Sequence, residues 1–159
     1  MNLAGKHYLA ALVWIALFGI AYLVIDAQLQ PKVATAESGG EIVIPRSRDG
    51  HFYVAGQING QPVTFLVDTG ASSVSVKSAL AGRLGLPRGQ PVAIGTAAGM
   101  TQGEEVAGQT VTLGGITVRE VRIIVLAGMP AEALLGQNVL RHLEVIQTAD
   151  RMVLRRKPG

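Results

Sequence analysis

A chain of 159 residues and 16.6 kDa has room for one compact unit of ordinary size and little more. Its net charge of +3 would suit a nucleic-acid binder, yet four of its 14 basic residues, Arg151, Arg155, Arg156 and Lys157, fall in the last nine positions, while residues 41–150 carry eight basic against nine acidic side chains, so no broad basic face is implied and nucleic acid is not expected as a partner. The absence of cysteine excludes disulfides, thiolate catalysis and cysteine metal sites.

Apolar residues make up 48% of the chain, and the excess is concentrated in one place. From Tyr8 to Ile25 there are 18 residues without a charge, all but Gly19 apolar, whereas the remainder falls to roughly 42% apolar. As a helix this segment is about 27 Å long, enough for a hydrocarbon core of about 30 Å with Tyr8 and Tyr22 near its two interfaces. Lys6 and the amino terminus precede it and Asp26 follows. The positive-inside rule then keeps residues 1–7 in the cytoplasm, makes 8–25 a single transmembrane helix and exports the rest. The competing reading is a cleavable signal peptide ending at Ala34-Thr35-Ala36, shortly after Pro31. The apolar run is longer than a signal h-region, and that site lies about ten residues beyond it. Residues 26–40, with Gln, Pro, Thr and Ser and the pair Gly39-Gly40, read as a flexible linker to a domain over 41–159.

That domain reads as mainly β. Short β-branched or aromatic runs at Ile42–Ile44, Tyr53–Ala55, Val63–Val67, Ser73–Val76, Thr110–Leu113 and Val121–Val125 are bounded by Gly, Asn, Pro or Asp. Asn59-Gly60 is a strong hairpin signal between the second and third of these. Short helices are predicted over Ser78–Leu84, ended by Gly85 and Pro87, and over Gln137–Leu143 after Gly136. A further hairpin, Val92–Ala97 with Thr101–Ala107 about the turn Ala98-Gly99, has little on either arm to anchor it in a core, and reads either as an ordinary exposed hairpin or as a mobile flap.

The segment Phe65-Leu66-Val67-Asp68-Thr69-Gly70-Ala71-Ser72-Ser73 places a carboxylate at the abrupt end of an apolar strand, held by a stiff element. Gly70 can adopt a backbone conformation closed to other residues and lets another chain approach, and the Thr69 hydroxyl can donate or accept at the base of the turn. Read alone, the three residues are equally a strand-terminating turn. Seventy residues later Ala133-Leu134-Leu135-Gly136-Gln137-Asn138-Val139-Leu140 supplies two apolar residues, a glycine and a helix start.

Asp-Thr-Gly-Ala after an apolar strand, followed at this distance by apolar-apolar-Gly-x-Asn-x-Leu, resembles the retroviral-type, or retropepsin-like, aspartic proteases, and in particular their bacterial membrane-anchored, exported members. The similarity runs from about Gly50 to Arg155 and includes Ala79–Leu86, similar to a family helix. The resemblance implies a single-lobe β-barrel with short helices behind the N-terminal transmembrane helix, in a bacterial inner membrane with the catalytic domain in the periplasm. It assigns the catalytic role to Asp68, a bond to the partner copy's turn to Thr69, close packing of the two turns to Gly70, and structural support of the turn to Leu134, Leu135 and Gly136. The hairpin at 96–103 corresponds in order to the flap that closes over substrate, so Thr96, Ala97, Ala98 and Gly99, with Ala71 and Ser72 of the turn, are candidate substrate-binding residues. No cofactor and no metal are implied.

Amide hydrolysis at such a site takes two carboxylates sharing one proton, one activating a water as base and one acting as acid toward the carbonyl. Each chain offers one suitable aspartate, since Asp26 lies at the membrane edge, Asp49 in a polar loop and Asp150 before the last strand. A homodimer with Asp68 and its copy on the twofold axis is therefore expected, acting on a protein or peptide and helped by co-anchoring in a membrane. Pepsin-like enzymes carry Ser or Thr where Ala71 stands, and the missing hydroxyl implies a mildly acidic optimum. His51 and His142 read as surface residues without a second ligand at metal-binding spacing. The alternative to the enzyme is a non-catalytic binding or assembly module of the same fold.

Overall fold

The computed structural model describes residues 3–29, 32–34, 40–96 and 99–157, with side chains in the first segment given from 12 to 27. Two units are distinct, Met1–Pro31 and Lys32–Gly159. The first is helix α1, Leu3–Leu29. Its described side chains are exposed on every face, Leu12, Phe18 and Leu23 among them. Among the described residues no helix is long and apolar enough to cross a membrane.

Among its described residues the second unit carries eleven strands: β1 (Val33–Ala34), β2 (Glu41–Pro45), β3 (Tyr53–Ile58), β4 (Gln61–Val67), β5 (Val74–Lys77), β6 (Gln90–Thr96), β7 (Gly99–Leu113), β8 (Ile116–Leu126), β9 (Ala133–Leu135), β10 (Leu143–Gln147) and β11 (Arg151–Arg156). Helix α2, Gln137–Leu140, precedes β10. Eight strands form one sheet in the order β1-β3-β4-β9-β5-β8-β7-β6, and β3 also pairs with β7, which curls the sheet back on itself. That closure needs a residue without a side chain. A Cβ on Gly56 would stand 2.7 Å from the Thr112 carbonyl oxygen and 2.9 Å from the Phe65 ring. The second sheet, β10-β11-β2, seals the barrel with Ile42, Ile44, Met152 and Leu154, all buried in the core with Phe65, Ile58, Leu113 and Leu135.

Alternation explains most of these strands. In β4, Val63, Phe65 and Val67 face the core, and in β2, Ile42 and Ile44 do. Asn59 and Gly60 both have positive φ, 51° and 80°, as a two-residue hairpin turn joining β3 to β4 requires.

Several expectations are corrected. The linker over 26–40 is partly ordered: α1 continues to Leu29, and Val33-Ala34 pair in parallel with Tyr53-Val54, so the second unit begins before residue 41. The helix over Ser78–Leu84 is one 3-10 turn, Ser78–Leu80, followed by further turns to Gly85. The helix after Gly136 stops at Leu140, because Leu143 already pairs with Arg156 in the β10–β11 ladder.

Candidate active site

Asp68 follows β4 directly, and its position is fixed by strand β9, which lies between β4, in parallel, and β5, antiparallel. The Asp68 N–H continues the ladder by donating to the Leu135 carbonyl at 3.1 Å. The turn then closes on itself, with Gly70 N–H donating to Asp68 Oδ1 at 2.9 Å and Ala71 N–H to the Asp68 carbonyl at 3.3 Å. A carboxylate oxygen held by a backbone donor has a fixed orientation at the mouth of the barrel.

The segment 136–138 clamps the turn from below. Gln137 N–H donates to the Ala71 carbonyl at 2.8 Å, Gln137 Nε2 to the Thr69 carbonyl at 2.9 Å, and Asn138 N–H to the Ser72 carbonyl at 3.0 Å. Asn138 Oδ1 accepts from Val74 N–H at 2.9 Å, and its Nδ2 donates to the Arg122 carbonyl at 2.7 Å. Gly136 is buried directly against the Ser73 backbone, where an added Cβ would stand 2.8 Å from the Ser73 nitrogen and closer still to its carbonyl. Gly70 differs from expectation. Its φ is not in the left-handed region, and an added Cβ would meet only Asp68 Oδ1, at 3.3 Å. Within one chain, backbone conformation does not require a glycine there, but a side chain would crowd the oriented Asp68 carboxylate, which would have to give by a few tenths of an ångström.

Over the turn lies a groove of about 730 Å³, lined by Asp68, Gly70, Ala71, Ser72 and Ser73 on one side and by Ala93, Ile94, Gly95 and Thr96 of β6 on the other. The hairpin β6–β7 therefore stands across the groove from the carboxylate. Thr96 Oγ1 donates to the Gly99 carbonyl at 2.8 Å and closes its tip, while Ala97 and Ala98 lie outside the described residues. The arms are better anchored than the sequence indicates. Val92 and Ile94, with Leu134, pack on a small apolar cluster of Ile124, Leu126 and Met129, separate from the main core. Leu134 thus lines the groove, whereas the Leu135 side chain is wholly in the main core and its carbonyl accepts from Asp68 N–H. Thr69 is exposed.

Ser75, Glu105, Ile124 and Leu126 also line this groove. Sequence reasoning missed them, because only the pairing of β5 with β8 and of β7 with β8 brings their strands beside Asp68. Of the acids weighed against Asp68, Asp26 lies in α1, and Asp49 and Asp150 are committed to turns. Asp49 accepts from the Tyr53 hydroxyl at 2.7 Å and from His51 N–H at 3.0 Å, which hold its carboxyl below the usual range, while burial and then the same carboxylate push the Tyr53 hydroxyl up to about 12. Asp150 accepts from the Thr148 hydroxyl at 2.8 Å, which lowers it likewise. Among the described residues no group of three or more His, Cys, Asp or Glu side chains could hold a metal ion.

A closed β-barrel, an Asp-Thr-Gly turn clamped by a parallel strand and a hairpin standing across the same groove together define an aspartic-protease architecture. Residues 54–142, more than half of the chain, match the family model described as "gag-polyprotein putative aspartyl protease". The crystal structure of a retropepsin-like aspartic protease from Rickettsia conorii superposes with a TM-score of 0.63 at 29% identity, over 74% of this chain and 91% of that one. The chain belongs to the retropepsin-like aspartic protease family. Two curated relatives are the "Uncharacterized protein in cobV 5'region" of Sinorhizobium sp, 32% identical over 119 residues, and an uncharacterized protein of Rickettsia prowazekii (strain Madrid E), 40% identical over 65 residues. These alignments cover 72% and 41% of this chain and span 51% and 28% of the respective relatives.

Proposed function

We propose that this chain is an aspartic endopeptidase, active as a homodimer in which Asp68 and its copy share one proton across a twofold axis. One carboxylate takes a proton from a water that attacks the scissile carbonyl, and the other donates its proton to the carbonyl oxygen. The observation that carries this reading is the pairing, in one groove, of an oriented Asp68 carboxylate with Ala93, Ile94, Gly95 and Thr96 of β6. Asp49 and Asp150 are held in their own turns, and Glu105, the other carboxylate lining this groove, lies on β7 outside the Asp-Thr-Gly turn; each chain has one such turn, so the second catalytic carboxylate is taken to be the Asp68 of a second copy. In that dimer Thr69, exposed in one chain, bonds across to the partner's turn, and Gly70 allows the two turns to meet.

We also propose that residues 8–25 anchor the enzyme in a bacterial inner membrane, with residues 1–7 cytoplasmic and the catalytic domain in the periplasm. The uncharged 18-residue run Tyr8–Ile25 in the sequence is what supports this.

The deciding experiment is incubation of purified protein with a mixed peptide library across acidic to neutral pH, beside Asp68→Asn. Cleavage by wild type, inhibition by a pepstatin-type transition-state analogue and loss of at least a hundredfold in rate for Asp68→Asn, with an unchanged circular dichroism spectrum, are expected. No cleavage by wild type under any of these conditions would leave the non-catalytic module as the better reading, and an Asp68→Asn protein that cleaves as wild type does would remove Asp68 from the catalytic role.

A further inference from the structure

Ser72 and Ser73 separate two grooves. Besides the one over Asp68, a second, of about 520 Å³, shares Gly70, Ser72 and Ser73 with it and extends away along β8 and the end of α2. Its outer wall carries Arg119, Glu120, Arg122 and Arg141. We propose that this cationic groove binds an acidic side chain of the peptide substrate a few residues from the bond that is cut, and so selects substrates. The inference deepens the peptidase reading and rests on it for the identity of the ligand.

Two arginines reach this wall only because β8 is irregular. Residues 119 and 122 are an odd number apart, so in a regular strand they would point to opposite faces. The ladder shows why they do not. Val118 pairs with Val111 and Val121 with Gln109, leaving one residue more on β8 than on β7 across this step. The extra residue is a bulge, with Glu120 at φ 56°, a left-handed conformation rarely adopted by a residue with a Cβ. Arg119 and Glu120 are consecutive exposed residues, Val121 turns into the core, and Arg122 is exposed again. A complementary bulge on β7 at Gly108, φ 74°, restores the register to Val106–Ile123. A strained, compensated bulge that changes which face a side chain reaches is a built feature.

The charges on this wall are uncommitted. Among the described residues the ion pairs are Arg83 with Glu132 and Arg155 with Glu144, and neither takes up Arg119, Arg122 or Arg141. Arg141 Nε makes only a long contact, 3.4 Å, to His142 Nε2. Three guanidinium groups against the single carboxylate of Glu120 favour a carboxylate ligand, which arginine can hold through two parallel hydrogen bonds. The first groove is the opposite, with carboxylates at Asp68 and Glu105. An extended chain lying through both would meet acid at its centre and base to one side, an arrangement that fixes direction and register.

Binding separates this proposal from catalysis. The full-length Asp68→Asn protein is titrated with fluorescein-labelled peptides that have an apolar centre and a pair of Glu or a pair of Lys residues at both ends. Solvent-exposed ion pairs are individually weak, so the Glu peptide should bind several-fold to about tenfold more tightly than the Lys peptide. The difference should vanish in Arg119→Gln/Arg122→Gln, persist in Arg83→Gln, widen in Glu120→Gln, and shrink between about 50 and about 500 mM salt. Equal binding of the two peptides, or a preference that survives the double arginine variant with its circular dichroism intact, overturns the proposal. Cleavage is scored separately on the wild type. Cleavage without a Glu preference leaves the peptidase and removes the groove, and a Glu preference in binding without any cleavage leaves the groove and removes the peptidase.

Discussion

Asn138 uses both ends of its carboxamide on backbone, accepting from Val74 N–H and donating to the Arg122 carbonyl, and so ties β5 to β8 directly beside the turn of Asp68. Asn138→Ala leaves a partly buried N–H and a carbonyl without their partner. It should lower stability by about 1–3 kcal/mol, read as a drop in the urea midpoint at constant slope, whereas Asn138→Asp keeps the acceptor and should lose less. Gly136→Ala should be worse, since its Cβ meets the Ser73 backbone rather than a side chain that can swing away. At Ala71 the effect concerns rate. Its N–H and carbonyl both hold the turn, and its Cβ borders the groove, so a serine there can add a hydroxyl donor toward the ionised carboxylate. Hydrogen bonds to the charged form favour it. Ala71→Ser should therefore move the acidic limb of the pH–rate profile downward from a wild-type optimum of about pH 5–6, with Ser72→Ala and the double variant separating the neighbouring hydroxyl. An unmoved limb would reject the argument.

Among the elements, β6–β7 is the one whose behaviour the structure makes testable. Its base rests on the small cluster of Ile124, Leu126 and Met129, while Met100 near its tip is 74% exposed. Amides at 94–96 and 99–101 should exchange faster than those of β4 and slow selectively when an inhibitor binds. Protection equal to that of β4 without inhibitor would make the hairpin an ordinary one. The strands of the barrel were legible because alternation and turn residues are local signals, and Asn59-Gly60 names its own turn type. What was not legible depends on long-range partners. Val33-Ala34 is a strand only because β3 offers an edge, and Leu134-Leu135 shows its pairing only with β4 and β5 on either side. The helix at Ser78–Leu84 carried both stop signals, yet it shortened to a turn in which Gly85 has φ 65° and Leu84 is drawn into the core. The bulge at Glu120 leaves no mark in composition at all. Asp68 itself was found from its motif, while the arginines beside it were scattered charges until β8 and α2 brought them to one wall.

For the whole molecule, the proposed reading needs two copies. A fragment beginning at Lys32, which retains the whole second unit, should show specific activity that rises with enzyme concentration in the dilute range, together with a monomer–dimer equilibrium by analytical ultracentrifugation. A monomer with full, concentration-independent activity would contradict the shared dyad. The placement of β9 has a further consequence, for the order of events in folding. The Asp68 turn and the segment that clamps it are 68 residues apart in sequence, with β5 through β9 threaded between them. Contacts of such separation close late, after the intervening chain has found its place. During synthesis, Asp68 leaves the ribosome long before Leu135, Gln137 and Asn138 exist to hold it. On the proposed reading the nascent chain thus carries its acid unarmed, and competence arrives only when the last third of the barrel is complete.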